Sequence, residues 1–253
     1  MVTGLAFLAT AIATVFAQAT GVRWSRTKAP HQGAWTVALA MFALASAALA
    51  TGSGTGWDEG TFRVFYLFGA ILTVPWLALG TVYLLLGRTV GDRVRLGLLL
   101  FSTFALGVML STPIHGTIDP QGGIPVGKDV FAVLPRALAG AASGIGAIVV
   151  FVGAVYSAIR YARRREPGTG GLVAGNALIA LGVLVLSSGG LLQGIVGQDE
   201  SFVISLAVGI SVIYAGFAVA SGARLRSPSS RRTSFPASVR GNASTTSTRV
   251  GSL

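Results

Sequence analysis

Apolar and polar positions alternate along this chain in long blocks, not in the short periods of an amphipathic helix or strand. Seven blocks, at residues 2–22, 34–51, 64–87, 96–112, 137–159, 171–192 and 201–223, contain no Asp, Glu, Lys, Arg or His. A helix rises about 1.5 Å per residue, so a bilayer core of about 30 Å takes about 20 such residues. Each block therefore predicts one membrane-crossing helix. The fourth, 96–112, stands between two sets of three that resemble each other in charge, glycine and aromatic placement, and reads as a linker between two halves.

Composition supports the same class. Of 253 residues, 52% are hydrophobic and 11% charged, against about 25% charged in an average soluble domain. The predicted fold is an all-α membrane protein, a seven-transmembrane helix bundle over 1–223 followed by a basic tail over 224–253. The tail is rich in Ser, Thr and Arg and poor in large apolar residues, a composition that favours disorder. Its Arg224, Arg226, Arg231 and Arg232 lie where anionic lipid headgroups attract basic side chains, and Arg231-Arg232-Thr233-Ser234 offers hydroxyls whose phosphorylation would weaken that attraction. Ala17-Gln18-Ala19 has the small-x-small pattern of a signal cleavage site. However, no basic residue precedes the first block, and the block outruns the usual apolar core of about 7–15 residues, so a retained span is expected.

Charge outside the blocks sets the orientation. Sixteen of the nineteen basic residues fall in the connections after blocks one, three and five and in the tail. The other side carries only Arg63, Lys128 and Arg136, with six of the eight acids. Basic connections stay in the cytoplasm, which predicts an amino terminus outside and a carboxyl terminus inside the plasma membrane.

The halves can be laid on one another. Arg23-Trp24-Ser25-Arg26 aligns with Arg160-Tyr161-Ala162-Arg163, Lys28 with Arg165 and Pro30 with Pro167, all at one offset that Thr51-Gly52 against Ser188-Gly189 keeps. The register then slips, and Gly69 pairs with Gly209. This predicts a 3+1+3 internal repeat, although basic connections and Gly/Ala-rich helices give such a likeness without common descent.

Candidate chemistry is sparse. Cysteine is absent and both histidines lie outside the blocks, so no metal or other cofactor is expected; His115 and Asp119 alone are too few ligands. Gly140-Ala141-Ala142-Ser143-Gly144 is expected to serve close helix packing. Pro75 removes a donor in mid-block, which frees the carbonyl of Ile71 and predicts a bend. Tyr66, Thr73, Trp76 and Thr81 are the candidate lining of a cavity there, and Asn176 is a candidate interhelical hydrogen-bonding residue. The segment 113–136 holds Pro113, Pro120, Pro125, Pro135 and Gly122-Gly123 and is expected to turn repeatedly. On the outer face, Asp58, Glu59 and Arg63 precede block three while Asp129 and Arg136 precede block five. Cross-pairing of Arg63 and Arg136 with those acids is expected.

The stretches Trp57-Asp58-Glu59-Gly60-Thr61-Phe62-Arg63, Thr73-Val74-Pro75-Trp76, Gly127-Lys128-Asp129-Val130-Phe131, Pro135-Arg136 and Gly175-Asn176-Ala177-Leu178 resemble a family of actinobacterial seven-span membrane proteins. That resemblance implies location and architecture and brings no activity. The 3+1+3 layout is also that of SWEET-type sugar facilitators, and the helix layout resembles microbial rhodopsins. The first and fifth blocks lack the proline that SWEET halves carry, and the only lysines, Lys28 and Lys128, lie outside the blocks, which leaves no Schiff base for retinal. General acid–base catalysis needs ionisable groups held together, so an enzyme is not expected, nor is a nucleic-acid partner. Three readings remain: an accessory or ligand- and lipid-binding bundle with a membrane-protein partner, an uncoupled facilitator of a small solute, and a receptor-like sensor.

Overall fold

The computed structural model describes residues 1–120, 122–164, 170–196 and 199–226, and among these every regular element is helical. They are α1 (Val2–Thr27), α2 (Pro30–Thr55), α3 (Glu59–Phe65), a π-helical segment (Tyr66–Leu72), α4 (Thr73–Ser111), α5 (Gly127–Val130), α6 (Val133–Arg164), α7 (Gly170–Val196) and α8 (Asp199–Arg226). Five helical stretches among the described residues are long and apolar enough to cross a membrane: Val2–Thr27, Pro30–Thr55, Glu59–Ser111, Val133–Arg160 and Asp199–Val219. A shorter apolar helix covers Val173–Leu186. The chain is thus an all-α bundle of membrane type. Most of the tail expectation, including the phosphorylation site, falls outside the described residues, and α8 itself continues to Arg226.

The stretch Glu59–Ser111 has 53 residues, more than twice what one crossing takes. It is broken at Gly87, whose φ of 83° and ψ of −174° suit only a residue without a Cβ. The two arms then fold back on each other. Tyr83 donates to Asp92 at 2.7 Å, Trp76 Nε1 donates to Ser102 Oγ at 3.2 Å, and Arg63 reaches the carbonyls of Met109 and Thr112. Residues 76 and 102 would lie about 39 Å apart in a straight helix; their contact requires a hairpin. The expected connection 88–95 is therefore already helical, and a single glycine turns the chain.

Contacts give the direction of each helix. Thr3 bonds Ser53 while Trp24 lies beside Gly33, so α1 and α2 are antiparallel. Trp35 meets Gly80 and Ala45 meets Gly69, so α2 opposes the π segment and first arm of α4. Ser143 bonds Ala70, Gly146 meets Val74 and Gly153 meets Thr81; these numbers rise together, so α6 runs parallel to that arm. Gly175 meets Gly216 and Gly182 meets Gly209, so α7 and α8 are antiparallel. With α6 on α7 and α8 on α1, six helical segments close a ring in the order α1, α2, α4, α6, α7, α8. The second arm of α4 presents Leu96, Leu99, Leu100, Phe104, Leu106 and Leu110 to the surroundings, as a helix against lipid does.

Gly140 and Gly144 meet nothing within 4 Å and do not serve the close packing expected of them. Ser143 of the same motif does make the approach, and Gly146 and Gly153 beyond it complete the contact.

Candidate functional site

Chemically distinctive residues gather at the end of the bundle where α2 finishes and α3 begins. Asp58 caps α3: its carboxylate accepts the Thr61 N–H at 3.0 Å and the Thr61 hydroxyl. Those bonds favour the charged form and hold the Asp58 carboxyl below its ordinary range. One residue earlier, Trp57 is 2% exposed. Its backbone N–H donates to the Pro120 carbonyl at 3.0 Å, and its ring lies so close over Gly52 that a methyl there would come within 2.5 Å.

The segment 113–132 closes this end. Residues 113–136 were expected to turn repeatedly; among the described residues 113–132 do, with the four-residue α5 inside them, while Pro135 and Arg136 already lie in the first turn of α6. What the turns deliver is a set of apolar anchors: Ile124, Val130 and Phe131 are buried, with Ile114 and Ile118 packed against the same core. Phe131 stacks on Phe62 at 5.3 Å between ring centroids and 10° between planes, with Tyr66 at 5.0 Å. Tyr66 lies against Gly127, where any side chain would collide with its ring. The segment is tied to both halves, because the Ile124 N–H donates to Asp199 at the start of α8 at 2.7 Å while Pro120 holds Trp57.

Arg63 takes no part in the expected cross-pairing. Its guanidinium donates to the Met109 carbonyl and, at 2.9 Å, to that of Thr112, and it lies 5.9 Å from the Phe131 ring centre. A cation at a helix carboxyl end satisfies unpaired carbonyls and meets the negative end of the helix dipole. The ion pair seen among the described residues is Arg95 with Asp92 at 3.5 Å, at the opposite end. Glu59, Asp129 and Arg136 are exposed. No group of three or more His, Asp or Glu side chains able to hold a metal occurs among the described residues.

At mid-bundle the bend expected from Pro75 is preceded by a full π segment. Thr73 Oγ1 donates back to the Phe68 carbonyl at 2.7 Å, and Ser143 of α6 donates to the Ala70 carbonyl at 2.5 Å. In π register, N–H groups bond five residues back. Pro75 lies in α4, just beyond the end of this segment, and α6 supplies the Ser143 hydroxyl to the Ala70 carbonyl, next to the Ile71 carbonyl that the proline was expected to free. Gly146 permits this approach: a methyl there would sit 3.0 Å from the Val74 carbonyl carbon.

The other cavity candidates turn to different neighbours. Tyr66 faces the capping segment, the Trp76 indole bonds Ser102 of the second arm, and Thr81 is buried against Gly153 of α6. Asn176 is half-buried on α7, next to the Gly175 carbonyl that approaches Gly216.

Sequence reasoning missed two features. The capping anchors were signalled by Ile, Val and Phe spaced among the prolines. The second is a partly open cavity of about 270 Å³ at the end of α2, lined by Gly52, Ser53, Gly54, Thr55, Gly56, Pro120 and Gly122.

No protein-family model matches this sequence, and no curated protein or solved structure matches it.

Proposed function

We propose that this is a seven-span integral protein of the plasma membrane, amino terminus outside, that acts as a non-enzymatic accessory or ligand- and lipid-binding bundle. The observation that carries this reading is how the polar groups at the bend are used. Thr73, Ser143, Trp76 and Trp35 all spend their donors on carbonyls or hydroxyls of the same bundle, and segment 113–132 packs apolar side chains over one end. Interior groups committed in this way favour recognition at the capped end and on the lipid-facing exterior. The likeness to actinobacterial seven-span proteins agrees with this placement.

Purification of the full chain in native nanodiscs, followed by mass spectrometry of everything retained, tests the reading. A stoichiometric lipid or membrane-protein partner is expected. A preparation without either would overturn it. Topology is tested separately: the chain contains no cysteine, so single cysteines at Lys128 and Arg93 are expected to label from outside and inside, respectively.

A second reading, a facilitator for a small neutral solute, is favoured by the position of the π segment and Pro75. They lie on the seam where the first set of three helices meets α6, and discontinuous helices at such seams form transporter sites. Solute flux in liposomes that falls in Pro75→Ala would favour this reading over the first.

A further inference from the structure

A helix that meets only lipid presents large apolar side chains outward, as the second arm of α4 does. The exposed face of α1 is built differently. Its buried side, Ala6, Ala9, Ala13, Phe16 and Thr20, packs on α2 and α8. At about 100° per residue, the centre of the opposite side falls on Gly4, Ala11, Gln18 and Ser25, one every seven residues and all exposed. Leu8, Val15 and Val22 run along one edge of this row, each about half exposed.

The residue in this row that needs a partner is Gln18. Its amide makes no hydrogen bond among the described residues. The hydroxyls of α1 do not share the problem: Thr10, Thr14, Thr20 and Ser25 each donate to a carbonyl three or four residues back in the same helix. Gln18 stands within the apolar block, five residues or about 7.5 Å before Arg23. The Cα–Cβ bond in a helix tilts toward the amino terminus, so the side chain leads deeper into the hydrocarbon and away from the interface that Arg23 marks. There an unbonded amide is costly, since lipid tails offer neither donor nor acceptor.

We infer that two copies of this chain pair side by side in the membrane through α1, with Gln18 of each copy bonded to Gln18 of the other. Three features select a second copy as the occupant of this face. Copies inserted in the same sense pair about a two-fold axis along the membrane normal, which sets each residue at the centre of α1 against its own counterpart. A primary amide both donates and accepts, so two Gln18 side chains satisfy each other reciprocally, where two like charges would repel. Gly4 and Ala11 let the helix axes approach closely, and the seven-residue spacing keeps the row on the seam of a left-handed pair. On α6, Gly140 and Gly144 are also open, with nothing within 4 Å, but their neighbours Ala137, Ala141, Ile145 and Ile148 are apolar and need no partner. The inference goes beyond the accessory reading and rests on α1 being a retained span.

The chain lacks cysteine, so full-length Lys128→Cys protein carries one fluorophore per copy at an exposed position. Donor- and acceptor-labelled copies mixed in phosphatidylcholine–phosphatidylglycerol liposomes are expected to show energy transfer that rises with the protein-to-lipid ratio and saturates as a dimer. Gln18→Leu, which removes two reciprocal amide bonds, should raise the half-saturation ratio about tenfold. Gln18→Asn, which keeps an amide, should stay close to the parent, and Gly144→Leu on α6 should leave the ratio unchanged. The thermal midpoint of Gln18→Leu in dilute detergent should equal the parent's, because this side chain holds no bond within its own copy. On mild oxidation Ala11→Cys should cross-link two copies and Leu100→Cys should not. A full-length chain that stays monomeric, a ratio unmoved by Gln18→Leu, or association lost in Gly144→Leu instead would each overturn the inference alone. A purified chain whose mass lacks residues 1–19 would overturn the retained span and the inference with it.

Discussion

The two sets of three helices solve one packing problem by different means. In the second, α7 and α8 meet backbone to backbone: a methyl on Gly182 would come 2.9 Å from the Gly209 carbonyl oxygen, and one on Gly216 would come 2.6 Å from that of Gly175. In the first, α2 meets α4 through a large side chain. Trp35 lies with its indole edge on Gly80 and donates to the Leu77 carbonyl at 3.2 Å. The offset that lays Pro30 on Pro167 also lays Ala45 on Gly182, and the pair Ala45–Gly69 touches much as Gly182–Gly209 does, with more room: a methyl on Gly69 would sit 3.3 Å from the Ala45 Cβ. The comparison teaches that glycine sets how closely two membrane helices approach, in the absence of a hydrophobic drive between helices in lipid. The looser first set accommodates the π segment and Pro75; α8 contains neither.

The largest test of this contrast is Gly209→Val. Forcing atoms into a packed site costs about 1–3 kcal/mol, occasionally more, and here a Cβ meets the Leu186 side chain at 2.6 Å and, at 3.1 Å, the Gly182 carbonyl oxygen, which is backbone that no rotamer change removes. Loss of a monodisperse peak in detergent chromatography is expected, whereas the matching Gly69→Ala should remain monodisperse, because Ala45 can yield by a few tenths of an ångström. If both behave alike, the halves do not differ as described.

Next in size is Arg63. Its bonds to the Met109 and Thr112 carbonyls involve a charge, a class that contributes about 1.5–3 kcal/mol; a half-buried guanidinium falls at the lower end. Arg63→Ala should lower the thermal midpoint clearly while Asp129→Ala changes it little. A comparable loss from Asp129→Ala would restore the cross-pairing that the sequence suggests.

Ser143→Ala leaves the Ala70 carbonyl without its donor, and interhelical bonds of this kind in membranes average about 0.6 kcal/mol, with a maximum near 1.7. A small destabilisation is expected, and it should vanish in a Pro75→Ala background if restoring the donor lets the helix satisfy itself. A double-mutant cycle on unfolding in mixed micelles measures it.

Asp58 gives the smallest effect. Its carboxyl is held low by Thr61, so its cap is fully present above the unfolded value and fades as pH falls through the lower folded one. Asp58→Ala should cost about 1 kcal/mol at neutral pH. The gap to the unmodified chain should narrow below about pH 4. A gap that widens in acid would mean the carboxylate is not the active form of the cap.

Much of the bundle was legible in the chain because burial in a bilayer is a one-dimensional requirement. Residues 2–22, 34–51 and 201–223 fall inside α1, α2 and α8 because every backbone N–H and C=O in hydrocarbon must be satisfied within its own helix. Asp58 and Pro30 open helices by local chemistry, Asp58 as a capping side chain and Pro30 as a first residue that has no N–H to lose, although the chain by itself offers Asp58 as an outer-face acid and Pro30 as a marker of the repeat. The blocks on either side of Arg88 were separable by charge, although the turn itself proved to be one glycine.

What tertiary structure alone decided is which neighbours meet. Pro75 announced a bend, but the π segment before it and the bond to the Ala70 carbonyl depend on α6 lying alongside, where Ser143 stands 68 residues down the chain from Pro75. Arg63 has acids nearby in sequence and carbonyls nearby in space, and the carbonyls win because the hairpin at Gly87 returns a helix end to it. The segment 113–132 reads as turns, since its prolines and glycines act locally; its role as a cap comes from five scattered apolar side chains finding Trp57, Phe62 and Tyr66. Span, charge and caps are set by each residue's own transfer energy and hydrogen-bonding capacity. Register, cavity and closure depend on distances between residues that the chain order does not contain.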